Sequence, residues 1–153
     1  MTPKAFDSLV RRHFGELLSP HGFSAEGSRH STFWRRIEGD LYHFILADPL
    51  RHSSTYDVKV FFSSPRIDEN FAGGFPDSLG IPSDTFCQLN AKAGITYKGS
   101  HFPCANETIF IKGFEQAVRP ALVEHALPYL DALASVEAML ALVRHPSFRL
   151  RGD

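Results

Sequence analysis

Histidine and cysteine are the residue types in this chain best suited to chemistry, and it has eight histidines and two cysteines. One pair has a spacing that suits a metal, because His101 and Cys104 lie close enough in sequence to supply two zinc ligands. A closed zinc site needs four ligands. The sequence offers neither a Cys-x-x-Cys pair nor two histidines on one helix face with a glutamate between them. It therefore predicts a loop with an incidental His and Cys, and neither a metal nor another cofactor.

Covalent catalysis and phosphate binding have no better support. There is no Gly-x-Ser-x-Gly nucleophile elbow, and Cys87 and Cys104 are more typical of small buried apolar residues than of thiolate nucleophiles. The glycine-rich segment Gly73–Gly80 lacks the Gly-Lys-Ser/Thr ending of a phosphate loop. Asp68 and Glu69 are neighbours in a predicted loop, where adjacent carboxylates are normally solvated. No catalytic residue is predicted, which favours a protein that is not an enzyme.

Recognition chemistry is concentrated in arginines and aromatic residues around a predicted hairpin. Successive side chains of a strand point to opposite faces, so Trp34 and Arg36 share one face, and Phe33, Arg35 and Ile37 share the other. Arginine and large aromatic residues are enriched at interaction hot spots. The alternative is that Phe33 or Trp34 belongs to the core and that the arginines lie along the sheet with only their charged ends in water. The predicted binding residues are Trp34, Arg35, Arg36, Arg51 and His52.

The first element that positions these residues is an amphipathic helix. Apolar residues recur at helical spacing from Phe6 to Leu18. Thr2 suits an N-cap and Pro3 a first helical position. The segment Ser19–Gly22 predicts the end of the helix, since proline cannot continue it and glycine permits a turn.

Three strand-like segments follow, at Ser31–Ile37, Leu41–Ala47 and Tyr56–Phe62. The turn Glu38-Gly39-Asp40 predicts an antiparallel hairpin from the first two. The connection Asp48–Thr55 is also short, so the three segments predict an antiparallel meander. The second segment is apolar on both faces, which is typical of a central strand.

The remainder of the chain is first irregular and then helical. Residues 63–85 carry many glycines, prolines and apolar residues and predict a lid-like or Ω-type loop packed on the domain. Short strands are predicted near Gly94–Tyr97 and Thr108–Lys112. A helical pattern then continues from Phe114, in which Pro120 and Pro128 each start or kink a helix. Ser135 predicts the N-cap of a last helix, Val136–Val143.

This order of elements predicts an α+β fold: a mostly antiparallel sheet of about five strands, with an N-terminal helix and C-terminal helices packed on one face. Residues 1–146 are predicted to form a single domain and residues 147–153 a frayed tail. The 14 phenylalanines predict a core rich in aromatic rings.

Composition limits the class of function. The net charge of −1 gives no overall field for nucleic acid or an anionic membrane. The N-terminal residues lack an apolar signal core, and no apolar run has the length of a membrane span. The sequence therefore predicts a cytoplasmic protein with reduced thiols and no membrane partner.

Three features of the sequence carry a family resemblance. The first is the helix running into Gly22-Phe23, and the second is the hairpin Phe33–Asp40 with its Phe-Trp-Arg-Arg start and Gly-Asp turn. The third is Ala-Leu-Pro-Tyr-Leu at Ala126–Leu130 followed by Ser135–Leu140. Together they resemble an uncharacterised family of small bacterial proteins, known only as a domain of unknown function. That family tends to end its third strand with Asn and Gly, where this chain has Phe61–Ser64. The family has no established activity, so the resemblance implies the fold and a bacterial cytosolic setting and no catalytic residue.

The function that these observations favour is a non-enzymatic protein-binding module, immunity-like or regulatory. The first alternative is a small enzyme or small-molecule binder with a pocket under the 63–85 loop, its polar groups drawn from His43, Arg51, Cys87 and His101. Nucleic-acid binding is a weaker alternative, because the net charge of the chain opposes it. The sequence leaves the oligomeric state open.

Overall fold

The computed structural model of the protein describes residues 1–25, 31–39, 41–50, 52–63 and 101–143. Helix α1 (Pro3–Leu18) opens the fold as predicted, with Thr2 as its N-cap: the Thr2 hydroxyl accepts a hydrogen bond from the Ala5 N–H at 3.1 Å. The helix passes into a short 3₁₀ turn, Ser19–His21. Gly22 then adopts φ of 85°, a left-handed conformation that glycine tolerates without strain, and returns the chain to the core.

The described residues form a four-stranded antiparallel sheet in the order β1-β2-β3-β4. The strands are β1 (Thr32–Arg36), β2 (Tyr42–Pro49), β3 (Thr55–Ser63) and β4 (Phe102–Pro103). The first three strands are the predicted meander, and β2 is its central strand. The prediction of about five strands differs slightly from the four that are described, and the predicted strand near Gly94–Tyr97 and the 63–85 loop lie outside the described residues.

The sheet has two distinct faces, because its side chains alternate. The helix face packs on α1 and on the C-terminal helices and carries Phe33, Arg35, His43, Ile45, Val60 and Phe62. The opposite face carries Trp34, Arg36, Tyr42, Phe44, Lys59 and Phe61. The predicted division of β1, with Trp34 and Arg36 on one side and Phe33 and Arg35 on the other, is confirmed.

The core between α1 and the helix face is built from aromatic rings, as the composition predicts. Phe14 lies with its ring centroid 5.2 Å from that of Phe114 and stacks on Phe33. Tyr56 stacks on Phe110 with centroids 5.4 Å apart. All five side chains are buried. Offset and edge-on ring pairs of this kind contribute beyond the area they bury.

The predicted strand at Thr108–Lys112 is wrong, because these residues lie in helix α2 (Glu107–Gly113). The consecutive Thr, Ile, Phe and Ile are β-branched or aromatic residues, which are typical of a strand, but a helix N-cap precedes them. The Asn106 side chain accepts a hydrogen bond from the Ile109 N–H at 2.9 Å, and Glu107 lies in the first turn, where a negative charge is favourable.

Two π-helical turns interrupt the helix that follows α2. The chain runs through Phe114–Val118 (π), α3 (Arg119–Ala121), Leu122–Ala126 (π), α4 (Leu127–Asp131) and α5 (Val136–Val143). Pro120 and Pro128 each lie in the first positions of the α-helical segment after a π turn. Proline clashes with the carbonyl four residues earlier in a regular helix, and the wider π turn relieves that clash. Both prolines therefore lie near the start of α-helical segments, which is one of the two predicted outcomes, a helix start or a kink.

None of the described helices is both long enough and apolar enough to cross a membrane. The predicted tail, residues 147–153, lies outside the described part of the chain.

Candidate interaction surface and buried arginine network

The predicted binding residues separate into different places. Trp34 and Arg36 lie together on the opposite face of β1, whereas Arg35 points to the helix face. His52 is exposed in the turn after β2 with φ of 60°. Because β2 is eight residues long, His52 lies roughly 20 Å from the Arg36 end of the sheet. Arg51 lies outside the described residues.

Trp34, Arg36 and Tyr42 form one continuous surface, named here the Trp34–Arg36–Tyr42 surface. Arg36 is opposite Tyr42 in the strand register, and the Trp34 and Tyr42 ring centroids are 6.2 Å apart. Trp34 and Tyr42 are half-buried and Arg36 is exposed. The Arg36 Nε donates to the Gly39 carbonyl, and the described residues give its two terminal nitrogens no hydrogen-bond partner. Such a guanidinium has the geometry to hold a carboxylate with two parallel hydrogen bonds.

An apolar row supports this surface from the middle of the sheet. Phe44 stacks on Phe61 with centroids 4.8 Å apart, and each is only 1% exposed. Trp34, Tyr42 and Leu46 pack against this pair. The surface therefore rests on a rigid base of rings, which limits the conformational entropy lost when the aromatic side chains bind.

A charged corner occupies the other end of the same face. Asp48 and Asp57 are directly opposite each other in the register of β2 and β3. The Lys59 Nζ lies 2.8 Å from Asp48 Oδ2, and the His101 Nε2 lies 3.3 Å from Asp57 Oδ1. Burial raises the pKa of the Asp57 carboxyl, and its electrostatic interactions with His101 and Lys59 offset only part of that rise. An acid–histidine pair of this kind can exchange a proton.

The other candidate catalytic or metal-binding groups do not lie at this corner. Cys104 is a free thiol buried in the core, away from His101, and burial raises its pKa, which disfavours the reactive thiolate. The part of the chain that the structure describes holds no group of three or more His, Cys, Asp or Glu residues that could bind a metal ion. Two open grooves of 460 and 580 Å³ flank the N-terminal half of α1, and neither is lined by His43 or His101.

Arg35 is the centre of a polar network between the sheet and the helices. Its side chain is 12% exposed. Nε donates to His43 Nδ1 at 3.1 Å, Nη1 to the His21 carbonyl at 2.8 Å, and Nη2 to Asp131 Oδ1 at 2.8 Å. The guanidinium also lies 4.6 Å from the centroid of the Phe23 ring, within the range of a cation–π contact. Arg35 therefore joins the end of α1, the hairpin and the end of α4.

His43 is the buried partner in this network, and its side chain is fully inaccessible. Its Nδ1 accepts from Arg35, so the neutral ring carries its proton on Nε2, which donates to the Leu133 carbonyl at 2.9 Å. Burial lowers the pKa of His43 to about 4. The Arg35 charge acts in the same direction, while the Leu133 carbonyl and Asp131 oppose it.

Sequence reasoning assigned Arg35 and His43 to other roles and did not find this network. A signal for it exists: the Gly39 turn pairs position 35 with position 43, and both share a face with the core residue Phe33. Asp131 has no comparable signal, because it is 96 residues away from Arg35 in sequence.

Comparison of the chain with protein-family models, curated proteins and solved structures finds no match. The resemblance to a family of small bacterial proteins therefore stays a prediction.

Proposed function

We propose that this protein is a non-enzymatic module that binds another protein through the Trp34–Arg36–Tyr42 surface, in an immunity-like or regulatory role. One observation carries the proposal: the register of β1 and β2 brings these three side chains together on the face turned away from α1, with Arg36 exposed. Tryptophan, tyrosine and arginine are the residue types that dominate the binding energy of protein interfaces.

The backbone of β1 favours recognition through side chains over addition of a strand. Ser24 exchanges two backbone hydrogen bonds with Trp34, at 2.8 and 2.9 Å. This bridge occupies the edge of β1 at the residue where an incoming strand would have to pair.

Charge complementarity defines the partner. The Arg36 guanidinium fits a carboxylate, and the flanking rings of Trp34 and Tyr42 fit apolar side chains. The partner is therefore a protein that presents an Asp or Glu beside an apolar residue. Nucleic acid fits less well, since the net charge of the whole chain is −1.

A second candidate function, a small enzyme or small-molecule binder, has support from the Asp57–His101 pair. A buried carboxylate with a raised pKa beside a histidine is a feature of many acid–base sites. A ligand that binds at this corner would raise the melting temperature of the wild type but would leave the melting temperature of the Asp57→Asn variant unchanged.

Site-specific photo-crosslinking tests the binding proposal. A photoreactive phenylalanine analogue replaces Tyr42, which keeps an aromatic ring on the surface and leaves Arg36 in place, and a matched control carries it at Glu124, which is exposed on the helical layer. Adducts formed in the native host are identified by mass spectrometry, and the captured protein is purified for affinity measurements. We expect one protein to be captured from position 42 and not from position 124, and its affinity to fall when Arg36 is changed to Ala. Capture of the same proteins from both positions, or unchanged affinity of the Arg36→Ala variant, would contradict it.

A further inference from the structure

We propose that the Arg35–His43–Leu133 network is an acid-operated latch, which holds the turn after α4 against the β1–β2 hairpin at neutral pH and releases that turn in mild acid. This inference concerns the fold itself and stands independently of the proposed binding function.

The geometry of the ring requires the neutral form of His43. One ring nitrogen, Nδ1, accepts the Arg35 Nε–H at 3.1 Å, and the other, Nε2, donates to the Leu133 carbonyl at 2.9 Å. A second proton has only Nδ1 to bind, where it would place two N–H donors and two positive charges against each other. Protonation of the ring must therefore break the bond between Arg35 and His43.

The charges that face His43 do not compensate for that proton. From β1 it faces the Arg35 cation, and from β3 the residue opposite is the apolar Phe62. From the end of α4 it faces Asp131, whose carboxylate already accepts a hydrogen bond from Arg35 Nη2 at 2.8 Å. The imidazolium would therefore face the Asp131 carboxylate, whose charge Arg35 already partly neutralises, and the nearby Arg35 cation.

The part of the molecule that would open lies at the margin of the main core. Leu133 packs with Leu41 and Phe62 in a small cluster, which meets the large core under α1 at the partly buried Tyr129. A hydrogen bond from the Val136 N–H to Glu38 Oε1, at 3.0 Å, adds to the contact between hairpin and α5. Because the imidazolium still has the Leu133 carbonyl as a partner, it reaches water only when the turn that covers it moves away, which frees residues 131–136 while α1 stays on the sheet.

The size of the effect follows from proton linkage. His43 titrates at about 4 in the closed state and at its ordinary value of 6.5 once it is exposed. Between these values the open state binds a proton that the closed state does not. The opening equilibrium therefore rises about tenfold for each unit by which the pH falls.

Hydrogen exchange measured at several pH values tests the latch. Exchange rates are divided by the intrinsic rate at each pH, so that only protection factors are compared. Three proteins are used: the wild type, His43→Gln, which keeps a neutral donor and acceptor, and His52→Gln as the matched control at an exposed histidine. The latch predicts that protection of residues 130–138 falls about tenfold per pH unit below about pH 6.5 in the wild type and in His52→Gln, while α1 stays protected. In His43→Gln, protection of residues 130–138 is independent of pH.

Two results would overturn the proposal. One is loss of protection in α1 and in residues 130–138 together, which is global unfolding; the other is the same pH dependence in His43→Gln as in the wild type. If His43→Gln does not fold, the NMR titration of the His43 ring in the wild type decides. Titration of the ring with the α4 turn still in place contradicts the latch, and titration that coincides with opening of that turn supports it.

Discussion

Arg35 and Arg36 are neighbours in sequence but make entirely different use of the same side chain. Among the described residues, Arg35 has three hydrogen bonds and a ring contact on the helix face, whereas Arg36 has one hydrogen bond, to Gly39, and is exposed on the opposite face. A planar guanidinium suits both roles, since it can bridge several acceptors in a partly dry site or hold a single carboxylate at a surface. Because side chains alternate along β1, Arg35 points to the helix face and stabilises the fold, whereas Arg36 points to the opposite face and is available for binding.

The hydroxyl group of Tyr56 is buried, and no hydrogen bond among the described residues compensates for its loss of water. The side chain is fully buried, and its hydroxyl has no hydrogen-bond partner among the described residues. Burial also raises the pKa of Tyr56. We expect Tyr56→Phe to increase the free energy of unfolding by up to about 1 kcal/mol, because the substitution removes an unsatisfied group and keeps the ring contacts. Urea denaturation at neutral pH measures the change, and a loss of stability of about 1 kcal/mol or more would mean that the hydroxyl has a partner, such as a buried water.

Burial of the ionised Asp57 carboxylate also lowers the stability of the fold, and this effect depends on pH. Its folded pKa is raised above the unfolded value, so the ionised carboxylate destabilises the fold above that pKa, and the cost is removed as the pH falls through it. We therefore expect Asp57→Asn to melt at a higher temperature than the wild type at neutral pH, with an advantage that shrinks in acid. Asp48→Asn serves as the control, since Asp48 is more exposed and is paired with Lys59. If Asp57→Asn is the less stable protein at neutral pH, the ion pair with His101 outweighs the cost of burial.

At the scale of elements, the β1–β2 hairpin depends on Arg35 for its attachment to the helices. Arg35→Met keeps the apolar stem but leaves His43 Nδ1 buried without a donor, at a cost of about 2 kcal/mol in the free energy of unfolding. Arg36→Met on the exposed face should cost less than about 0.5 kcal/mol. Chemical denaturation of both variants at neutral pH measures the difference in their free energies of unfolding. Equal effects of the two substitutions would contradict a structural role of Arg35.

The elements that local patterns predict are those whose neighbours in space are also neighbours in sequence. The stripe of α1, the meander and the two faces of β1 follow from spacing and short turns, and all are observed. The sequence predicts a strand at Glu107–Gly113 because its β-branched and aromatic residues suit one, whereas the Asn106 N-cap and the packing of Phe110 in the core favour the observed helix.

The candidate site likewise has one part that local sequence patterns predict and another part that depends on the tertiary fold. The shared face of Trp34 and Arg36 follows from the two-residue period of a strand, and the structure has it. The roles of Arg35 and His43 depend on Asp131 and Leu133, which only the tertiary fold brings within hydrogen-bond distance. The π turns before Pro120 and Pro128 likewise depend on how the helix packs, beyond the proline signal itself.

At the scale of the whole molecule, the sheet separates stability from recognition. Its helix face contributes to the aromatic core and the Arg35 network, and its opposite face carries the Trp34–Arg36–Tyr42 surface and the charged corner. Substitutions of exposed residues on the opposite face should therefore change binding with little change in stability, which makes the binding claim testable by single charge reversals.

The most direct test of that claim is the dissociation constant of the partner captured from position 42, measured for the wild type, Arg36→Glu and Arg12→Glu. Arg12 is an exposed arginine on α1 and controls for the change in total charge. Arg36→Glu is expected to weaken binding by about tenfold or more at equal thermal stability, while Arg12→Glu is expected to bind as the wild type does. Equal affinities of Arg36→Glu and the wild type would contradict it.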